Sequence, residues 1–349
     1  MNEKIKVFIV DDSMLFRKVL IDNLSMNPNI EIVGYAFDAF DAERKIPMVK
    51  PDVVTVDVEM PRVNGIDFVK KLLPKYAVPV ILVSSLNLNV FEALSAGAVD
   101  FVKKPDMSMG INANTFLNTL MNKIFIASRA KIKVPAKPAA PVIPPVKVGG
   151  ASKPFGLNAY NTVIAIGAST GGTEATLQVL KDLPADTPGI VVTQHMPEGF
   201  TKMYADRLNR LCNMRVKEAQ SGDVIEKGQV LIAPGDFQMK VVRIGSRYSV
   251  SCYSGEKVSG HRPSVDVLFQ SVAEAAGASS VGIIMTGMGR DGADGLLSMK
   301  KKGAFTIGQD AESCVVYGMP MVAFNIGAVK TQVSCSNIPN VLLKHLYSL

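Results

Sequence analysis

The chain has no tryptophan and only three histidines in 349 residues, so any imidazole chemistry rests on His195, His261 or His345. Its four cysteines, Cys212, Cys252, Cys314 and Cys335, lie far apart, with no Cys-x-x-Cys pair. That spacing offers neither a disulfide framework nor a zinc site, and leaves the thiols to pack as small hydrophobic groups. Hydrophobic residues make up 48% of the chain, yet no uninterrupted apolar run approaches the roughly 20 residues of a membrane span. The opening "MNEKIKVFIVDDSM" has too short an apolar core, with acids behind it, for a secretory signal. A cytoplasmic protein without membrane insertion is expected.

Acidic residues are missing altogether from one stretch, "IASRAKIKVPAKPAAPVIPPVKVGGASKPFGLN", residues 126–158, which carries six Lys+Arg and six prolines. The formal charge of +7 comes almost entirely from there: residues 1–125 hold 14 basic against 15 acidic residues, and residues 159–349 hold 18 against 16. Lacking helical or alternating periodicity, the stretch reads as a semi-extended linker of the polyproline type. A nucleic-acid-binding arm is the sharper alternative, but Phe155 is its one aromatic residue. The linker divides the chain into domains at 1–125 and 159–349.

In the first domain "KVFIVDD", "IEIVGYA", "DVVTVDV", "PVILVSS" and "DFVKKP" are β-branched runs, each followed by a helix-like stretch. Five such repeats predict a parallel, flavodoxin-like sheet covered on both faces, with ligands at the carboxyl ends of the strands. Those ends carry Asp11 and Asp12, Asp57, Ser84, and Lys104 followed by Pro105. Three carboxylates gathered at one edge repel one another unless a hard cation such as Mg²⁺ neutralises them. The plainer reading makes Asp12 and Ser13 helix caps and Lys104 an ion-pair partner.

Taken together, "VDDS", "VDVEMPRVNG", "LVSS" and "DFVKKP" closely resemble the receiver domain of bacterial two-component response regulators, over residues 4–125. The resemblance implies that Asp57 accepts a phosphoryl group from a histidine kinase. It also implies Mg²⁺ on Asp12, Asp57 and the backbone carbonyl of Glu59, with Asp11 nearby. Ser84 and Lys104 would contact the phosphoryl oxygens, and Phe101 matches the aromatic switch position. Ahead of the last strand, "LNLNVFEALSAG" leaves room for only a short fourth helix.

The second domain is also α/β, and reads as doubly wound. "NTVIAIG", "GIVVTQ", "VGIIMTG" and "AFTIGQD" are strand-like, while "QVLIAPG", "QMKVVR" and "RYSVSCY" suggest an antiparallel excursion embedded in the sheet. Ser169 sits in "AIGASTGG", between a strand and a helix, where Gly167 and Gly171 satisfy G-x-S-x-G. Such a turn can expose a nucleophilic hydroxyl beside helix N–H donors, although a serine capping a helix is the commoner case. A nucleophile needs a base. His345 lies in a terminal helix-like segment and His261 in a loop, and both are expected to be dispensable to the chemical step. His195 ends the strand after the serine's helix, where a right-handed crossover can bring the two together. Asp291, in "TGMGRDGADG", is the candidate carboxylate to orient it. The competing reading takes "GMGRDG" as a dinucleotide-binding G-x-G-x-x-G with Asp310 as the ribose acid. Against it, Asp291 would set a negative charge beside the pyrophosphate.

"IGASTGG", "QHMP", "SGHRPSVDVLF", "MTGMGRDGADG" and "VYGMP" together resemble the catalytic domain of the chemotaxis protein-glutamate methylesterases, over residues 160–345. That resemblance implies Ser169 as nucleophile, His195 as general base and acid, and Asp291 as orienting carboxylate, with Thr170 and the N–H of Met288 near the oxyanion. It implies γ-glutamyl methyl esters of chemoreceptor cytoplasmic domains as substrate, glutamine deamidation as a second reaction, and no cofactor in this domain. It further implies a receiver that covers the catalytic entrance until Asp57 is phosphorylated. The alternative is a response regulator whose second half binds protein or DNA. No helix-turn-helix is evident, and the near-balanced charge of residues 159–349 lacks a phosphate-binding footprint.

Overall fold

The computed structural model describes residues 3–85, 90–105, 113–132 and 155–349. The chain forms two compact units, Met1–Lys147 and Val148–Leu349. Most of the stretch read as linker lies outside the described residues.

In the first unit the five expected strands are β1 (Ile5–Val10), β2 (Ile30–Ala36), β3 (Val53–Asp57), β4 (Val80–Ser84) and β5 (Asp100–Lys103). They form one sheet in the order β2-β1-β3-β4-β5, parallel throughout. Every residue of β3 and β4 is buried, as continuous β-branched runs require of strands covered on both faces. The helices are α1 (Met14–Leu24), α2 (Ala39–Val49), α3 (Gly65–Leu72), α4 (Val90–Ser95) and α5 (Ala113–Ala127). Each of the first three starts where a side chain satisfies a first-turn N–H: Ser13 accepts from Phe16, Asp38 from Asp41, and Asn64 from Asp67. Within the described residues α4 spans six residues, and the segment directly ahead of it lies outside them.

The second unit begins inside the stretch read as linker. Phe155 is buried and stacks on Tyr347 at a centroid distance of 4.7 Å, just ahead of α6 (Leu157–Tyr160). An apolar ring with a partner near the C-terminus stays packed despite its proline-rich, basic approach.

The strands of this unit are β6 (Val163–Ala168), β7 (Ile190–Gln194), β8 (Arg215–Glu218), β9 (Gln229–Ile232), β10 (Gln238–Ile244), β11 (Arg247–Tyr253), β12 (Ser280–Ile284), β13 (Phe305–Gln309) and β14 (Thr331–Val333). Seven of them form a parallel sheet ordered β14-β13-β12-β6-β7-β9-β8. Two expectations need correction. "QVLIAPG" is β9, a parallel member of the main sheet, and only β10 and β11 pair antiparallel, as a separate two-stranded sheet. The short strands β8 and β14 were not expected, because apart from the buried Val216 their residues are exposed or half-buried and carry little apolar signal.

The helices that bear on the site are α7 (Gly172–Leu180), α8 (Phe200–Leu211), α9 (Val265–Ala275), α10 (Ala293–Lys301) and α11 (Met319–Asn325), with α12 (Ile338–Leu346) closing the chain. The core joins Leu268, Phe269 and Val272 of α9 to Leu296 and Met299 of α10 and to Met239, Val241 and Val250 of the hairpin. Full burial of Phe269 alone contributes about 2–3 kcal/mol. From β6 the chain passes to β7, then to β8 at the sheet edge and back to β9 between them, before crossing to β12 on the other side of β6. The end of β6 is therefore the switch point where open α/β sheets bind ligands.

Candidate active site

Ser169 follows β6 at that switch point and is half-buried. Three glycines explain its turn. Gly171 holds φ +77°, and a Cβ there would meet Val315 at 2.6 Å. On Gly167 a Cβ would strike Val265 of α9 at 2.1 Å, and on Gly287 it would come within 2.7 Å of the Ser169 Cβ. The serine's own N–H donates to the Thr286 carbonyl at 2.9 Å, and Gln194 Nε2 donates to the Ser169 carbonyl at 2.8 Å. Both main-chain polar groups of Ser169 are thereby fixed by neighbouring strand ends.

His195 follows β7, the strand beside β6, and its N–H donates to the Ala168 carbonyl at 3.1 Å. Its Nδ1 lies 3.1 Å from Ser169 Oγ and its Nε2 lies 2.7 Å from Asp291 Oδ2. A carboxylate can only accept, so Nε2 carries the proton and Nδ1 presents its lone pair to the serine hydroxyl. The ring is turned the opposite way from the familiar protease triad, in which Nε2 faces the nucleophile.

Asp291 is 1% exposed and saturated with donors. Besides His195, its Oδ2 accepts from the Val265 N–H at 2.8 Å, and its Oδ1 accepts from the Ser264 hydroxyl at 2.7 Å and the Asp266 N–H at 3.0 Å. The N-terminus of α9 is thus aimed at an anion, as helix N–H groups and the macrodipole favour. Burial pushes the Asp291 carboxyl up, but His195 and these donors together hold it below the ordinary carboxylate range.

Composition and spacing gave no reason to single out His261. The structure places its ring flat on His195, with centroids 3.7 Å apart and planes 7° from parallel. Its carbonyl accepts from Gln238 Nε2 at 3.2 Å, and Gln238 Oε1 accepts from the Ser264 N–H at 2.8 Å. One buried glutamine at the start of β10 therefore ties the His261 loop to the cap residue of α9. His345 lies elsewhere, stacked on Phe305. Among the described residues the N–H of Met288 makes no internal hydrogen bond. Thr170 is buried, and its carbonyl accepts from Thr286 Oγ1 at 3.0 Å. The glycine-rich "GMGRDG" is committed to this site, with Gly287 against Ser169 and Gly292 against Val265. Asp310 caps a local turn at Ser313. The dinucleotide reading is thereby set aside.

In the first unit Asp11, Asp12 and Asp57 offer carboxylate oxygens within 4.8 Å of one another. Lys104 Nζ donates to Asp57 at 2.7 Å and to Asp11 at 3.1 Å. The neighbouring N–H groups help: Ser13 donates to Asp11 and Glu59 to Asp57. One ammonium does not balance three acids. Burial first, then the Asp57 charge, push Asp11 up to about 6 against the pull of Lys104. Ser84 is fully buried and its hydroxyl has no partner among the described residues. Phe101 is buried edge-on against Phe91, 6.4 Å between centroids. Gly65, which spacing did not single out, lies where a Cβ would collide with the Asp57 carbonyl at 2.1 Å.

Fold and site together define a receiver followed by an α/β output domain of serine-hydrolase geometry. A family model described as CheB methylesterase matches residues 164–342, and one described as response regulator receiver domain matches residues 7–113. The protein-glutamate methylesterase/protein-glutamine glutaminase 2 of Syntrophomonas wolfei is 52% identical over 346 residues, covering 99% of each chain. That of Syntrophotalea carbinolica, named protein-glutamate methylesterase/protein-glutamine glutaminase, is 46% identical and covers 97% of this chain and 96% of its own. The crystal structure of the Thermotoga maritima CheB methylesterase catalytic domain matches at TM-score 0.52 and 35% identity, covering 53% of this chain and 98% of that one. The chain belongs to the CheB methylesterase family and carries a response regulator receiver domain.

Proposed function

We propose that this protein is a phosphorylation-controlled esterase of the cytoplasm, removing methyl groups from γ-glutamyl methyl esters on chemoreceptor cytoplasmic domains and releasing methanol. The observation that carries the chemistry is the unbroken line from Ser169 Oγ through His195 to Asp291, at 3.1 and 2.7 Å.

Ser169 Oγ attacks the ester carbonyl as its proton passes to His195 Nδ1, and Asp291 holds the resulting imidazolium through the Nε2 hydrogen bond. Negative charge on the carbonyl oxygen develops near the Met288 N–H and Thr170. Collapse of the tetrahedral species breaks the bond to methoxide, which takes the His195 proton and leaves as methanol. A water that gives its proton to His195 then cleaves the acyl-serine, freeing glutamate and restoring the hydroxyl. The same acyl-enzyme formed from glutamine would release ammonia, in keeping with the double name of the relatives. Serine and water balance every step, so this domain needs no cofactor.

The receiver supplies control. Asp57 is the phosphoacceptor for a chemotaxis histidine kinase, with Lys104 and Ser84 contacting the phosphoryl oxygens. The crowded carboxylates and the orphaned Ser84 hydroxyl fit a divalent cation and a phosphoryl group. Asp12, Asp57 and the Glu59 carbonyl would hold Mg²⁺, with Asp11 nearby, and the ion supplies charge neutralisation during transfer. Phosphorylation shifts the population toward a state of higher esterase activity, with Phe101 as the switch residue. A DNA-binding output is disfavoured, since residues 159–349 are close to neutral.

Methanol release from methylated receptor, measured with and without a small phosphodonor and Mg²⁺, tests this reading. The wild-type chain should release methanol faster with phosphodonor, whereas Asp57→Asn should stay at the basal rate. Absence of methanol release from the wild type overturns it.

A further inference from the structure

Two helices start side by side next to the triad, and each directs its first-turn N–H groups at an acid belonging to the other. Asp291, just ahead of α10, accepts from the N–H groups of Val265 and Asp266 in the first turn of α9. Asp266 in turn reaches across with Oδ1 to accept from the Gly295 N–H, in the first turn of α10, at 2.7 Å. Glycines let the two helices approach closely. A Cβ on Gly295 would lie 3.0 Å from the Asp266 carbonyl oxygen, and one on Gly292 would lie 2.4 Å from Val265. Val265 also fills the space left by Gly167, so the same turn of α9 touches the nucleophile's strand.

We propose that Asp266 is a positioning residue, whose carboxylate locks α10 to α9 so that Asp291 stays under His195. The inference rests on the esterase reading above. Its physical logic is that Asp291 approaches the triad from a loop, and a loop acid keeps a 2.7 Å contact to His195 only if its own backbone is held. Asp266 provides that hold from a rigid helix.

The carboxylate is enclosed where it makes this bond. Burial first, then the Asp291 charge, push the Asp266 carboxyl up to about 6, against the Gly295 N–H that stabilises its ionised form. The other charged or titratable groups around Asp266 are Asp294 on α10, Lys240 and Tyr253 of the hairpin, and Glu274 on α9.

Two variants of the full chain separate the lock from mere bulk. Asp266→Asn keeps an oxygen for the Gly295 N–H, while Asp266→Ala loses it. The substrate-free readout is the NMR resonance of the His195 Nε2–H proton that is hydrogen-bonded to Asp291, which is tractable with three histidines. Asp266→Ala should shift or broaden that resonance and lower kcat about tenfold or more, leaving KM within about twofold, while Asp266→Asn should keep the resonance and recover most of the lost kcat. A folded Asp266→Ala with an unchanged resonance and a wild-type kcat, or an Asp266→Asn as impaired as Asp266→Ala, overturns the proposal. If the resonance responds as described but the wild type releases no methanol, the esterase reading fails and the Asp266 result stands.

Discussion

The two clusters at the strand ends of this molecule handle buried acids in opposite ways. Asp291 accepts four hydrogen bonds, from His195, Ser264, Val265 and Asp266. Asp11, Asp12 and Asp57 stand together with one lysine paired to Asp11 and Asp57, while Ser84 beside them keeps a hydroxyl that bonds to nothing among the described residues. The first arrangement is finished before any substrate arrives, as electrostatic preorganisation requires. The second is left incomplete, and incompleteness gives a phosphoryl group and a cation something to change. A catalytic site and a switch are thus distinguishable by how far their polar groups are already satisfied.

The largest effect comes from breaking the finished site at its reacting atom. Ser169→Ala should reduce methanol release by roughly 10⁴-fold or more, because no acyl-enzyme forms. Far-UV circular dichroism should be unchanged, since the main-chain bonds from Thr286 and Gln194 that shape this turn do not involve the hydroxyl. Residual turnover within tenfold of wild type would remove Ser169 from the mechanism.

A smaller effect tests whether the site's completeness extends to the His261 ring. Stacked 3.7 Å from His195, it limits ring tilt and excludes water from one face of the base. His261→Ala should lower kcat by an amount on the order of 10–30-fold, and His261→Phe should recover most of that loss. If both variants equal wild type in kcat, the stack is packing without consequence, as reading the sequence alone suggested.

Legibility followed the same division between local and distant causes. The five receiver strands and four of the sheet strands of the second domain could be read because β-branched runs with polar ends are local signals. Ser169, His195 and Asp291 could be placed on strand ends, and adjacency of β6 to β7 and β12 brings them together. The antiparallel excursion was drawn one strand too wide, since "QVLIAPG" has the same pattern whether its neighbour runs parallel or antiparallel. His261, Gln238 and Asp266 were invisible as site residues for another reason. Their roles depend on contacts across 66, 26 and 29 residues of chain, from His261 to His195, Ser264 to Gln238 and Gly295 to Asp266. No periodicity reports such contacts. The glycines lie between these cases: Gly167 and Gly171 fitted a motif, but the reason for Gly167 is a valine of α9 resting on it.

The smallest effect sharpens the comparison with one pair of serines, both fully buried. Ser264 donates to Asp291 at 2.7 Å and caps α9 by accepting from the Val267 N–H at 3.4 Å. Ser264→Ala leaves a buried carboxylate short of one donor and a helix without its cap, and should cost the second domain about 1.5–3 kcal/mol. Ser84→Ala removes a hydroxyl that was desolvated on folding without gaining a partner among the described residues. Deleting it relieves that cost while opening only a small void, so the receiver should be unchanged or more stable by up to about 1 kcal/mol. On the proposed reading that Ser84 contacts the phosphoryl oxygens, the same variant should also blunt stimulation by phosphodonor. Urea unfolding of each variant, followed by a probe for each domain, decides the matter. Equal destabilisation by the two substitutions would mean that the Ser84 hydroxyl is already engaged in the resting receiver, and the contrast between a finished site and a waiting one would fail.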